Sequence, residues 1–140
     1  MVKPAGPKIY NEFIDGLELE TLCLEKLNVG FLGSDSSNKT ELEIKLEDIK
    51  RKILQADNKL KILHRFKITI NHEGKKDIYY KFDCTFALVY RTVCDMSPGI
   101  WEVFKNRNLY VVTWPYLREL FHNTLYRFNL PPLTLPARKV

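Results

Sequence analysis

Alternation of apolar and polar residues dominates the middle of the chain. From Leu60 to Ile70 every second residue is apolar or is His64, and basic residues occupy most positions between them. A second alternating run extends from Ile78 to about Val93. A period of two is expected of strands that bury one face and leave the other in water. Both runs are therefore predicted to be strands.

Turn-forming residues stand at both ends of the first run. Asp57-Asn58 precedes it and Glu73-Gly74-Lys75 follows it. Such residues accept the backbone conformations of tight reversals that join antiparallel strands. The middle of the chain is therefore predicted to be an antiparallel meander.

The first apolar segment changes phase partway along. Leu17 and Leu19 share one parity, whereas Leu22 and Leu24 share the other. One extra residue inserted into a strand produces this change. The pattern predicts a bulged strand from about Ile9 to Leu27.

A loop rich in Gly, Ser, Asp and Asn is predicted from Gly30 to Thr40, because these residues bond their own backbone and accept turns. After it, Leu42, Ile44 and Leu46 alternate with charged residues, and Ile49 begins the opposite phase. This predicts another bulged strand. A helix over Glu47 to Lys61 is the alternative, because the apolar positions also approximate helical spacing. The strand is favoured.

Two helices are predicted in the last third. Ser97 can cap the first, which has Pro98 in its first turn and extends to about Arg107. Trp114-Pro115 begins the second, which must end before Pro131-Pro132. The remaining residues, Leu130 to Val140, are predicted to be extended.

Length and composition predict one domain over residues 1–140, with residues 1–7 and 137–140 as flexible tails. No apolar stretch approaches the ~20 residues of a membrane-spanning helix. The N-terminus has no apolar run of a secretory signal. The three cysteines, Cys23, Cys84 and Cys94, form no paired motif, which favours a reducing cytoplasm over a disulfide framework.

Catalytic and metal-binding patterns are missing from the sequence. His64, His72 and His122 stand alone, without a second ligand at metal-binding spacing. The Gly30 to Gly33 stretch lacks the Lys and Ser/Thr of a phosphate-binding loop. We therefore expect a protein that is not an enzyme and that needs no cofactor or metal.

The C-terminal third carries the most specific pattern. Its first part is Trp-Pro-Tyr-Leu-Arg-Glu at residues 114–119, and its second is Phe-Asn-Leu-Pro-Pro-Leu-Thr-Leu-Pro at residues 128–136. This pair resembles the SecB export chaperones, in which an aromatic-Pro-Tyr-x-Arg-Glu motif and a later Pro-x-Leu-x-Leu-x-Pro motif mark the conserved domain. The order of the predicted strands and helices upstream also fits that family.

The resemblance implies an α+β fold, with a four-stranded antiparallel sheet and C-terminal helices, that assembles as a dimer of dimers. It implies a homotetrameric, ATP-independent holdase in the cytoplasm, which binds unfolded polypeptides in grooves between helix and sheet. Two departures qualify this. The chain carries a net charge of +5, whereas export-type members are acidic and use carboxylates to contact the SecA motor, and it ends at Val140 without their further helix. A dedicated SecB-like chaperone that guards the antitoxin of a toxin–antitoxin system is therefore the alternative.

The resemblance and the apolar pattern together suggest residues for the client groove, each of which could equally be part of the core: Trp114, Tyr116, Leu120 and Phe121, with a flexible flap containing Val29, Phe31 and Leu32. Arg118 and Glu119 are expected to position the helix or an interface and not to contact the client. The full set of motif residues expected to be structural is Pro115, Arg118, Glu119, Pro131, Leu133, Leu135 and Pro136. A rival from another class is nucleic-acid binding by a basic strand with aromatic neighbours: Lys59, Lys61, Arg65, Lys67, Tyr79 and Tyr80.

Overall fold

The computed structural model describes residues 2–32, 42–72, 78–130, 133, 135 and 136. Three helices and four strands form in the order α1, β1, β2, β3, β4, α2, α3. Their bounds are Pro7–Asp15 for α1, Glu18–Phe31 for β1, Leu42–Ala56 for β2, Lys59–His72 for β3, Ile78–Arg91 for β4, Pro98–Phe104 for α2 and Asn108–Arg127 for α3. The predicted α+β class is confirmed.

The four strands form one antiparallel sheet in the order β1-β4-β3-β2. The reversal between β2 and β3 is made by Asp57 and Asn58, whose φ angles are 55° and 61°. Positive φ at both central residues matches the right-handed twist of the strands, so this turn confirms the prediction. The turn predicted at Glu73-Gly74-Lys75 lies outside the described residues.

All three helices pack against one face of the sheet. On β3 the residues of that face are buried in alternation with more exposed neighbours up to Ile70, whereas β4 is buried on both faces from Cys84 to Leu88. The buried residues of the helix-bearing face are Leu60, Ile62, His64, Phe66, Ile68 and Ile70 on β3, with Tyr80, Phe82, Cys84, Phe86, Leu88 and Tyr90 on β4. The opposite face carries no helix among the described elements, and we call it the helix-free face.

The prediction that the first strand begins at about Ile9 is wrong, because residues 7–15 form α1 and β1 begins at Glu18. Pro7 lies in the first turn of this helix, where its missing N–H costs nothing. Tyr10 and Phe13 lie one turn apart and are both buried. Within the predicted N-terminal tail, the Ala5 N–H donates to the Gly99 carbonyl oxygen at 3.0 Å.

Bulges interrupt both edge strands. The predicted bulge in β1 is confirmed between Leu19 and Thr21, and a second occurs between Leu24 and Lys26. β2 is a strand throughout, so the alternative helix is wrong. Its bulge lies between Lys52 and Leu54, not where the apolar phase changes. That change arises because Ile49 points to the helix-free face.

The first predicted C-terminal helix is confirmed, and the Ser97 hydroxyl accepts a hydrogen bond from the Ile100 N–H at 3.2 Å. The predicted start of the second at Trp114 is wrong, because α3 begins six residues earlier at Asn108. Pro115 is accommodated inside the helix on its exposed side. There, water can satisfy the Val111 carbonyl that loses its partner.

Candidate functional site

An apolar groove of about 270 Å³ lies between α3 and the β1 side of the sheet. Its lining residues come from β1, β4 and the outer side of α3. They are Leu24, Phe86, Tyr116, Glu119, Leu120 and Asn123. Tyr116 is 53% exposed and Leu24 is 42% exposed, so the groove opens to solvent on both walls.

Helical spacing explains which α3 residues reach the groove. Leu117 and Phe121 are fully buried against the sheet. Tyr116 and Leu120 precede them by one residue, which rotates their side chains toward the β1 edge. On that edge, Leu24 pairs with Phe86 and therefore shares the face of the sheet that carries α3.

Exposed apolar side chains continue the groove along β1. Leu19, Leu24, Leu27 and Phe31 are each at least 37% exposed. Leu32, which follows β1, lies on the helix-free face instead. β1 is an edge strand, so its outer backbone groups have no neighbouring strand among the described residues. The groove therefore lies next to an apolar strand edge that can accept another extended segment.

Part of the predicted groove is core instead. Trp114 is 6% exposed, with its ring 6.2 Å from that of Phe66, and Phe121 is 0% exposed. These two residues belong to the core and are not among the described lining of the groove. Val29 and Phe31 were predicted to lie in a flexible flap, but both belong to β1 and pair with residues of β4.

The two sequence motifs contact each other. The Trp114 Nε1–H donates to the Pro136 carbonyl at 2.7 Å, and the Arg118 Nε–H donates to the Leu135 carbonyl at 2.8 Å. Leu135 is itself buried in the core, and Leu133 packs against it. One turn of α3 thus holds the C-terminal extension.

The remaining motif residues have different positions. Glu119 lies on the groove wall and not at a helix N-terminus, since α3 begins at Asn108. Pro131 lies outside the described residues. Sequence reasoning missed Leu24 and Phe86; the phase change in β1 was the signal that could have placed Leu24 on the helix-bearing face.

A buried polar network joins α3 to β2 and β3. The His64 Nε2 is 2.8 Å from Asp48 Oδ2, and its Nδ1 is 3.0 Å from Thr113 Oγ1. The Tyr110 hydroxyl also donates to Asp48. Burial alone would raise the pKa of Asp48, but the hydrogen bonds from His64 and Tyr110 and the charge of Lys50 lower that pKa to about 2. Asp48 is therefore an ionised anchor for α3.

This series of hydroxyl, imidazole and carboxylate has the order of a hydrolase triad. Thr113 and His64 are both 0% exposed, however, and the Thr113 hydroxyl donates to the Leu109 carbonyl at 2.9 Å. No substrate atom can reach that hydroxyl in this arrangement. Elsewhere, burial and then the charge of Asp83 raise the pKa of the Cys84 thiol to about 12, which removes its nucleophilicity.

Other site classes find little support. Over the described ranges, no group of three metal-ligating side chains converges, and no helix is long and apolar enough to cross a membrane. The aromatic residues of the nucleic-acid hypothesis are buried, Tyr79 at 8% and Tyr80 at 0% exposure. Neither ring is free to stack on a base.

No family model matches the sequence, and no curated protein matches it. Among solved structures, the chain is similar to the Rv1957 SecB-like chaperone from Mycobacterium tuberculosis, solved in complex with a ChAD peptide from the Rv1956 HigA1 antitoxin. The TM-score is 0.78 at 16% identity, over 94% of this chain and 97% of that one. A protein of unknown function from Streptococcus agalactiae is similar at a TM-score of 0.51 and 12% identity, over 86% and 97% of the two chains. The fold of this chain is therefore that of a SecB-like chaperone.

Proposed function

We propose that this protein is a chaperone that binds extended, apolar polypeptide segments in the groove between α3 and β1, without ATP and without covalent chemistry. The observation that carries the proposal is the apolar wall formed by the exposed Leu24 and Tyr116 and the half-buried Leu120. Exposed apolar patches with polar rims commonly mark binding sites for polypeptides. The SecB-like fold supports the same function.

The lining of the groove suits many sequences. Apolar burial contributes roughly 25 cal/mol per Å² and is non-directional, so it makes little demand on the client's sequence. Glu119 and Asn123 line the same groove and carry polar groups that can bond the backbone of an extended client. Such a site can hold a client segment without performing a reaction.

The favoured client is the antitoxin of a toxin–antitoxin system, with general protein export as the alternative. The solved complex of the Mycobacterium tuberculosis protein with an antitoxin peptide supports this choice for a chain of the same fold. The net charge of +5 argues against the acidic contacts that export-type members make with the SecA motor. A cytoplasmic location and the lack of any cofactor remain part of this proposal.

A homotetramer, built as a dimer of dimers, is also part of the proposal. In the part of the chain that the structure describes, the edge of β1 is unpaired and several of its apolar side chains are exposed, including Leu19 and Leu27. Association of two such edges would pair the free backbone groups and bury these side chains. Light scattering should give a tetramer or at least a dimer, and a monodisperse monomer would contradict the assembly.

The chaperone activity is tested by suppression of aggregation. A chemically unfolded client is diluted into buffer with near-stoichiometric protein and no nucleotide, and turbidity is followed. Because the contacts are apolar, suppression should persist at ~0.5 M salt, where surface charge attraction is largely screened. Suppression that disappears in salt would contradict the apolar groove. A protein that protects its antitoxin but no other client would support the dedicated form.

A further inference from the structure

A second groove, of about 510 Å³, lies on the opposite side of the sheet from the proposed client groove. It is formed at one end of the helix-free face by side chains of β1, β3 and β4. The residues that matter for its chemistry are Asn28, Gly30, Arg65, Lys67, Lys81 and Asp83. The proposed chaperone function makes no use of this groove.

Positive charge dominates the described lining of the groove. Arg65 and Asp83 neutralise each other, because Nε and Nη2 of the guanidinium contact the two carboxylate oxygens at 3.0 and 2.6 Å. Lys67 and Lys81 also line the groove, and neither forms an ion pair within 4.0 Å among the described residues. The groove therefore has two cationic side chains available to a ligand.

The margins of the groove do not cancel this charge. Glu47 is the cross-strand partner of Lys67, and Lys45 is the partner of Thr69 on the same strand. These two opposite charges balance each other. The Arg65 hydrogen bond and charge lower the pKa of Asp83 against the opposing effect of burial, and the charges of Lys67 and then Lys26 lower it further.

Gly30 opens the groove to the backbone of a ligand. Gly30 lies in β1 and pairs with Lys81 of β4, and a Cβ built on Gly30 would meet no atom within 4 Å. Steric crowding therefore does not require glycine here. A glycine inside a strand often marks a place where another backbone approaches closely. In this groove its missing side chain leaves space between the two lysines and the edge of β1.

We propose that this groove binds an acidic polypeptide segment in extended conformation, with its carboxylates on Lys67 and Lys81 and its backbone over Gly30. The Asn28 amide and the Thr69 hydroxyl can donate further hydrogen bonds. A polypeptide fits better than a nucleic acid. Among the described residues the lining offers no ring for stacking, because Phe82 is buried and its ring packs against Phe121 on the helix-bearing face.

The test uses a labelled, unstructured peptide of alternating Glu and Ser, measured by fluorescence anisotropy with the full chain. A Gln-and-Ser peptide and a short oligothymidylate serve as comparison ligands. The glutamate peptide should bind, with an affinity that falls several-fold as salt rises from about 0.05 to about 0.3 M. It contains no apolar side chain, so its binding is independent of the client groove.

Variants locate the site. Lys67→Glu with Lys81→Glu should weaken the peptide about tenfold or more, and Gly30→Val should weaken it by filling the groove. Gly30→Ala is the milder alternative if the valine perturbs folding. Lys8→Glu with Arg127→Glu is the matched control, because it changes the net charge equally at two exposed positions on helices.

The proposal is supported if the groove variants lose binding of the glutamate peptide and the control variant keeps it. The proposal would be overturned by equal binding of the Gln peptide, by equal loss in the control variant, or by no measurable binding of the glutamate peptide. Preferential binding of the oligothymidylate would assign the face to nucleic acid and would also overturn it.

Discussion

Asp48→Asn tests whether the polar network between α3 and the sheet stabilises the fold. The substitution keeps the size of the side chain but removes the carboxylate that accepts from His64 and Tyr110. The pKa of Asp48 is about 2 in the folded chain, against an ordinary value of 3.8. At 1.36 kcal/mol per unit this difference corresponds to about 2.5 kcal/mol. Since the side chain is 25% exposed, we expect a loss of about 2 kcal/mol.

The matched control is Asp83→Asn, which breaks the ion pair with Arg65 on the helix-free face. Exposed ion pairs contribute little, so this change should cost less than about 1 kcal/mol. Both variants are compared with the wild type by urea unfolding at equal chain concentration, because any assembly adds to stability. Equal losses in the two variants would refute the special role of Asp48.

The pH dependence gives a second readout for the same variant. The pKa of Asp48 is lower in the folded chain than in the unfolded one, so its contribution is complete above about pH 4 and is lost as the pH falls through about 2. The stability difference between wild type and Asp48→Asn should therefore shrink over that range. A difference that stays constant down to about pH 2 would contradict the assigned pKa.

Two further substitutions test the segments that pack on the helices. Trp114→Phe removes the donor to the Pro136 carbonyl and should cost about 1 kcal/mol, with faster proteolysis of the C-terminal extension; unchanged proteolysis would contradict this contact. Gly99→Ala places a Cβ 2.8 Å from the Lys3 carbonyl oxygen, so its melting temperature should fall. The Cβ of Gly6→Ala meets no atom within 4 Å, so this variant should lose only the N-cap preference for glycine over alanine, and its melting temperature should fall less. Equal melting temperatures for the two alanine variants would refute this reasoning.

The sheet could be predicted because burial on one face imposes a period of two, and the run from Leu60 to Ile70 displays it without interruption. α1 was missed because it is only nine residues long and its two buried residues, Tyr10 and Phe13, precede an alternating pattern that was extended backward over them. The start of α3 was misplaced for another reason. Proline usually occupies the first turn of a helix, but Pro115 lies inside α3 on its exposed side.

The groove was predicted only in part. Tyr116 and Leu120 are on its wall, whereas Trp114 and Phe121 are in the core. All four are apolar residues of one helix, so spacing alone cannot decide which side faces the sheet. That choice depends on the β1 edge, where Leu24 closes the groove opposite α3. The register of β1 against β4 is set by two bulges, and the sequence pattern predicted only the first of them.

The measurement that tests the central claim most directly is the affinity for a short, extended apolar peptide, compared between Tyr116→Ser and Tyr126→Ser. Tyr116 is 53% exposed on the groove wall. Since aromatic side chains bury 150 to 250 Å², a client could cover roughly 100 Å² of it. That area contributes at most about 2.5 kcal/mol, and ordering costs reduce the net effect.

Tyr126 lies on the same helix, is 80% exposed and is not among the described groove residues. The account predicts that Tyr116→Ser weakens the peptide about tenfold, while Tyr126→Ser leaves its affinity unchanged. Light scattering must show the same oligomeric state for both variants, so that a lost subunit contact is not mistaken for a lost client contact. Equal affinities for the wild type and Tyr116→Ser, with folding and assembly intact, would contradict the proposed groove.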